Sequence, residues 1–99
     1  EDMPVFPDGE RAMHDFVRGN LVYPKQALKD EIEGMNLVSF VVEVDGSLTD
    51  IKIEKGIGKA CETEAMRVIN KMPVWKSGRL NGKPVRVLVK IPVSFYLPD

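Results

Sequence analysis

The chain is poor in the residues that carry chemistry. Among its 99 residues there is one cysteine, Cys61, so no internal disulfide can form. A lone thiol is compatible with any compartment. The single histidine, His14, has no cysteine or second histidine at ligand spacing, which argues against a zinc site. His14 and Cys61 also fall on different predicted helices, so a Cys–His nucleophile pair is not expected. Basic excess is missing too: 14 Lys and Arg stand against 15 Asp and Glu, for a net charge of −1. Nucleic-acid binders usually carry a clear positive balance, so no nucleic-acid partner is expected. No apolar run approaches the ~20 residues that span a bilayer, and no signal peptide is evident. No Ser-His-Asp set, P-loop or dinucleotide fingerprint occurs, so neither catalysis nor a cofactor is expected. The first residue is Glu1 and not Met, so the chain reads as part of a longer or processed protein.

What remains is an ordinary globular composition, 43% apolar and 29% charged, of a length that supports one core. One domain over 1–99 is expected, with an extended lead-in at 1–7, two short helices in 8–31 and a ββαβ core at 35–97. Two prolines in seven residues hold the lead-in extended. Asp8 suits an N-cap for a helix through Arg18 whose Met13, Phe16 and Val17 share a stripe, ended by Gly19 or Asn20. Pro24 forces Tyr23 out of the helical region and can itself start a second helix through Glu31, with Ala27, Leu28 and Ile32 inward.

After Gly34, Val38, Phe40, Val42 and Val44 alternate on one face of a strand. Asp45-Gly46 is a strong signal for a two-residue hairpin with positive φ at both positions. The return strand, Leu48 to Lys55, puts Ile51 and Ile53 inward. A helix over Ala60 to Met72 carries Cys61, Ala65, Val68, Ile69 and Met72 at helical spacing and ends at Pro73. A loop with Trp75 and Gly78, then an Asn81-Gly82 turn, leads into the last strand. From Val85 to Leu97 every odd position there is apolar. Pro92 lies near its middle, and a proline belongs on a sheet edge. The fold class is α+β, with helices on one face of a three-stranded antiparallel or mixed sheet. The last strand can pair beside the second or antiparallel to the first. The order 2-1-3 satisfies Pro92 and makes the most apolar strand central. It leaves a long apolar edge on which another chain can pair.

Several ordered motifs share the pattern of one family. They are Tyr23-Pro24, Gly34 before an alternating strand, Val44-Asp45-Gly46-Ser47, Met72-Pro73-Val74-Trp75, the loop Gly78 to Val85, and Ile91-Pro92-Val93-Ser94-Phe95. Together they resemble the C-terminal domain of TonB-type energy transducers, and the Phe6-Pro7 lead-in with its short helix resembles the Bacteroidetes versions. Position 77 is Ser, after Lys76, where the family often has a proline between the tryptophan and the glycine. The resemblance implies a periplasmic domain of an inner-membrane-anchored protein. Such a domain binds the TonB box of TonB-dependent outer-membrane receptors by β-strand addition to its last strand, and connects to inner-membrane motor proteins through its N-terminal part. Val85 to Phe95 would be the receiving edge, with Arg86, Leu88, Lys90, Pro92, Ser94 and Tyr96 beside the incoming strand and Asn20, Leu21, Val22 and Tyr23 close by. Arg86 and Lys90 would meet acidic or polar residues of the receptor. The domain also resembles the C-terminal extension of BlaR-type membrane metallopeptidases, and the edge would equally allow a homodimer.

Individual residues have plainer readings as well. Trp75 can anchor a partner, but beside Pro73 it is expected to pack over the end of the long helix. Tyr23 is expected to be packed with its hydroxyl bonded. Cys61 behaves as a small buried hydrophobe. Glu62-Thr63-Glu64 reads as a solvated first turn complementing the helix dipole. Arg79 and Lys83 flank the Asn-Gly turn, which can be read as a basic loop for phosphate but by default as a solvated hairpin tip.

Overall fold

The computed structural model describes residues 2–97, so the ends of the expected domain at Glu1, Pro98 and Asp99 lie outside the described residues. The elements are α1 (Glu10–Asn20), α2 (Lys25–Lys29), β1 (Gly34–Val42), β2 (Leu48–Lys55), α3 (Lys59–Asn70), β3 (Gly78–Leu80), β4 (Lys83–Val85) and β5 (Val87–Phe95). The main sheet has the order β2-β1-β5, all antiparallel, as expected for the apolar strand at the centre and the proline strand at the edge. Val38, Phe40 and Val42 of β1 and Val93 of β5 are wholly buried on one face. Cys61, Ala65 and Ile69 of α3 complete the core from the helical side. Each fully buried side chain of the valine, isoleucine or phenylalanine class contributes about 1.5–3 kcal/mol relative to exposure.

The register of β1 on β5 is unbroken from Gly34↔Phe95 to Val42↔Val87. Pairing with β2 is interrupted twice, and at one interruption Asp50 takes a left-handed conformation with φ 50°. That is the behaviour of a bulge, which adds a residue on one strand and sharpens the twist. Buried Asn36 closes the helical side of the sheet. Its Oδ1 accepts the Ile57 N–H at 3.1 Å and its Nδ2 donates to the Cys61 carbonyl at 3.5 Å.

Several expectations are corrected. Asp8 is not an N-cap; it has φ 67°, Gly9 precedes the helix, and no side chain caps that end. Gly19 continues the helix, which stops after Asn20. The second helix is only Lys25–Lys29, because Glu31 turns to φ 53°; Leu28 faces solvent while Ala27 is buried. Val44 is exposed in the turn and has left the strand. At the Asp45-Gly46 turn only Gly46 has positive φ, 86°. There Glu43 and Ser47 pair through the Glu43 N–H, and Asp45 Oδ1 accepts both the N–H and the hydroxyl of Ser47. The reason is tertiary: the Trp75 N–H donates to the Gly46 carbonyl at 2.9 Å, and a Cβ on Gly46 would overlap the Trp75 carbonyl oxygen.

The mirror-image turn occurs instead at Asn81-Gly82, φ 53° and 77°, closing a small hairpin of β3 on β4. This hairpin divides the expected thirteen-residue strand at Arg86, so the sheet strand begins at Val87. The lead-in joins the same region. Val5 and Lys76 exchange backbone hydrogen bonds of 3.0 and 2.8 Å, as do Asp2 and Arg79 at 3.1 and 3.0 Å. Trp75 is buried, as expected, but it packs edge-on against Phe6 and Phe40. Its contacts therefore join the lead-in to the sheet, and its indole N–H is buried without a hydrogen-bond acceptor.

Candidate functional site

β5 pairs with β1 on one side, and among the described residues no strand lies along its other side. A groove of about 470 Å³ runs beside the C-terminal half of that open edge. The strand contributes Pro92, Ser94, Phe95 and Tyr96, the extended segment contributes Leu21 and Tyr23, and α1 contributes His14, Val17 and Arg18. A second groove of about 290 Å³ follows Val89 and Ile91, with Glu10 and Met13 of α1 across it.

The segment from Asn20 to Tyr23 is held in place by an ion pair on α3. Glu64 accepts two hydrogen bonds from Arg67, both 2.7 Å, and a third from the Val22 N–H, also 2.7 Å. Arg67 in turn donates to the Asn20 carbonyl at 2.8 Å. A charged side chain thus occupies each of two backbone groups of the segment, and charge-assisted hydrogen bonds are the stronger class. The hydrogen bonds from Arg67, above all, hold the Glu64 carboxyl below its ordinary range, against the opposing effect of desolvation. Glu64 is therefore a half-buried clamp, not a solvated first-turn acid; Glu62 remains the first-turn acid and accepts the Gly58 N–H at 3.3 Å.

Tyr23 is packed and bonded as expected. Its hydroxyl donates to the Ile32 carbonyl, and its ring meets Phe95 edge-on at 5.4 Å. Burial first, and then the nearby Glu33 carboxylate, raise its pKa above the ordinary value. The hydroxyl is therefore fixed as a donor, and the ring forms part of the groove wall.

The residues expected from the sequence are partly brought together. Leu21, Tyr23, Pro92, Ser94 and Tyr96 line one groove. Asn20 and Val22 support it through their backbone, while the Val22 side chain is exposed elsewhere. Leu88 and Lys90 lie on the exposed sheet face, opposite Val41 and Ser39 and outside the groove. Arg86 is committed within the chain: its guanidinium donates to both carboxylate oxygens of Glu43 at 2.9 Å each. Those hydrogen bonds, followed by one from Thr49, hold the Glu43 carboxyl down to about 2. The sequence reading did not place His14, Val17, Arg18, Glu64 or Arg67 at the site. The Glu64/Arg67 spacing of three and the His14/Arg18 spacing of four were the available signals, but both are common on exposed helices.

Residues 19–97 match the family described as Gram-negative bacterial TonB protein C-terminal. The TonB proteins of Helicobacter pylori strains 26695 and J99 are each 35% identical to the chain over 78 residues. That stretch is 78% of this chain and 26% of either relative, so the chain corresponds to about a quarter of their length. Two solution structures of the Helicobacter pylori TonB C-terminal domain superpose with a TM-score of 0.65. One is 32% identical, covering 87% of this chain and 78% of that one; the other is 31% identical, covering 92% and 98%. Sequence and fold agree, and the chain belongs to the TonB C-terminal family.

Proposed function

We propose that the domain is the periplasmic receptor-binding module of a TonB-type energy transducer. It takes up the TonB box of an outer-membrane transporter by strand addition to β5, and is joined through a more N-terminal part of its protein to an inner-membrane anchor and motor. The observation that carries this reading is the nine-residue strand β5, paired among the described residues on one side only, with a groove of about 470 Å³ beside its second edge.

Strand addition fits the backbone. In an antiparallel pair, residues alternate between bonding their neighbour and pointing away from it. Pro92 has no N–H, so it sits without loss only at an outward position. By the same parity, Leu88, Lys90 and Ser94 turn their amides outward to an incoming strand. Affinity then comes from main-chain hydrogen bonds, with selectivity supplied by side-chain pockets. Pro92 interrupts the row of donors, which also protects the edge from indiscriminate pairing. Of the two basic side chains on β5 and its approach, Arg86 is neutralised by Glu43, leaving Lys90 as the basic side chain on the strand itself.

The test is a titration of isotope-labelled protein with TonB-box peptides from transporters of the same organism, followed by backbone amide shifts. Shifts concentrated at Val87–Phe95 and Leu21–Tyr23 are expected. Absence of any shift at millimolar peptide would overturn the proposal.

A further inference from the structure

Ahead of the stretch that matches the family, residues 19–97, the chain carries a strap of its own. Residues 2–7 run antiparallel to residues 76–79 and are bonded to them at two points, Asp2 with Arg79 and Val5 with Lys76. Between those points Pro4 has no N–H to give, and Met3 is 69% exposed. Of residues 2–7 only Phe6 is buried, its ring 5.7 Å from the rings of Phe16 and Trp75. The hold of β5 on β1 is of another order, an unbroken pairing along nine residues.

Local costs persist while the strap is closed. Asp8, where the strap meets α1, holds φ 67°, a left-handed conformation unfavourable for a side chain with a Cβ. Gly9 follows at φ 97°, with open space where a Cβ would stand, and no side chain caps α1 there. The Trp75 indole N–H, on the ring that Phe6 packs against, has no acceptor among the described residues. An unpaired buried donor is costly until water reaches it. Rotation about Asp8 and Gly9 swings the strap clear, relaxes the Asp8 backbone and admits water to the indole. Pro4, Val5 and Phe6 also wall the space of about 290 Å³ over Val89 and Ile91, so an open strap bares that side of the sheet.

We propose that residues 2–7 are a mechanical strap, hinged at Asp8 and Gly9, that opens as a unit before the sheet gives way when the chain is drawn from its N-terminal side. The direction of pull rests on the transducer reading, in which the motor lies on that side. The two bonded points are loaded one after the other, starting at Asp2, whereas β5 resists along its whole length. The strap therefore adds length to the joint at low load and leaves the pairing of β5 with β1 undisturbed.

The test holds the 99-residue chain by its two ends in a single-molecule pulling experiment. A short extension step is expected before the main rupture. Val5→Cys/Lys76→Cys supplies the control, because these residues exchange both backbone hydrogen bonds. The Cα separation of such a pair, about 5.5 Å, suits a disulfide. Oxidation should remove the early step and reduction restore it. A single rupture with no earlier step, or a step that survives oxidation, overturns the strap. Amide exchange on the unmodified chain reads the same opening at rest. The Asp2, Val5, Lys76 and Arg79 amides, the donors of the strap's hydrogen bonds, should exchange together. Their rate should exceed that of the β1 amides at least about a hundredfold. Phe6→Ala removes a contact of the closed state alone and should speed both sets, whereas Ile69→Val on α3 should speed only the β1 amides. Strap amides that exchange as slowly as those of β1, or that follow them in Ile69→Val, overturn the proposal. Neither measurement uses a peptide, so failure here leaves the receptor-binding reading standing. Failure of the peptide titration, in turn, leaves the strap as a property of the fold.

Discussion

Glu64 is the side chain whose loss should be felt both in stability and at the groove. Glu64→Ala removes three hydrogen bonds at once, two from Arg67 and one from the Val22 N–H, each 2.7 Å. The Glu64 side chain is 12% exposed and Arg67 39%. The Arg67 end is open enough to water that its share is screened. The bond to the Val22 amide is exposed as well, while those from Arg67 are part-buried, and hydrogen bonds to charged groups are worth about 1.5–3 kcal/mol before such screening. The substitution should therefore cost about 2 kcal/mol, or roughly 10 °C in Tm for a domain of this size. Trp75, buried against Phe6 and Phe40, supplies the fluorescence signal for urea unfolding. Glu64→Gln, which keeps an acceptor for Val22 but loses the charge, should fall between wild type and alanine. Glu64→Ala/Arg67→Ala should be little worse than Glu64→Ala alone, because the two act as a unit. The folded carboxyl titrates below its ordinary value, so its contribution is full above that value and fades as pH falls through the folded pKa. The gap between wild type and Glu64→Ala should close accordingly in acid. A loss below about 0.5 kcal/mol, typical of an ordinary surface substitution, would refute the clamp. Because the clamp fixes Leu21 and Tyr23, the same variant should also weaken binding of any peptide in the groove.

Three further outcomes are expected. Glu43 is held down to about 2 by Arg86 and Thr49, so its stabilisation is present above the ordinary value of 4.5 and is lost as pH falls through about 2; Arg86→Ala should flatten that part of a urea-midpoint profile against pH. Phe40→Ala, at a wholly buried position beside Trp75, should cost about 3–5 kcal/mol in equilibrium unfolding. Ser94→Pro should leave pairing with β1 and the melting temperature nearly unchanged but weaken TonB-box peptide binding at least tenfold, the equivalent of about 1.4 kcal/mol, as read by titration. Equal binding would mean that the Ser94 amide does not face the incoming strand.

Much of the scaffold was legible because it depends on local periodicity. The alternation of Val38, Phe40 and Val42, the stripe from Cys61 to Ile69 and the position of Pro92 placed a central strand, a covering helix and an edge strand, and the sheet order follows from them. The turns were less legible. Asp45-Gly46 and Asn81-Gly82 look equivalent as dipeptides, yet only the second adopts the doubly positive conformation. The first is shaped by Trp75, which lies 29 positions further along the chain and donates to the Gly46 carbonyl. Nor did any local signal distinguish Arg86 from Lys90. Both occupy exposed positions of one alternating run, and only the approach of β1's end brings Glu43 to the first.

The sequence by itself thus determined which residues seek the core and which strand must end up at an edge, since burial follows a period of two or 3.6 along the chain. The family likeness rests on that same linear information, carried by motifs in order. Only the tertiary structure decided what stands beside the edge. The meeting of α1 with β5, and the hold of Glu64 and Arg67 on the Asn20–Val22 backbone, join positions more than 40 residues apart. Such contacts leave no periodic trace, because they depend on where packed elements come to rest in space.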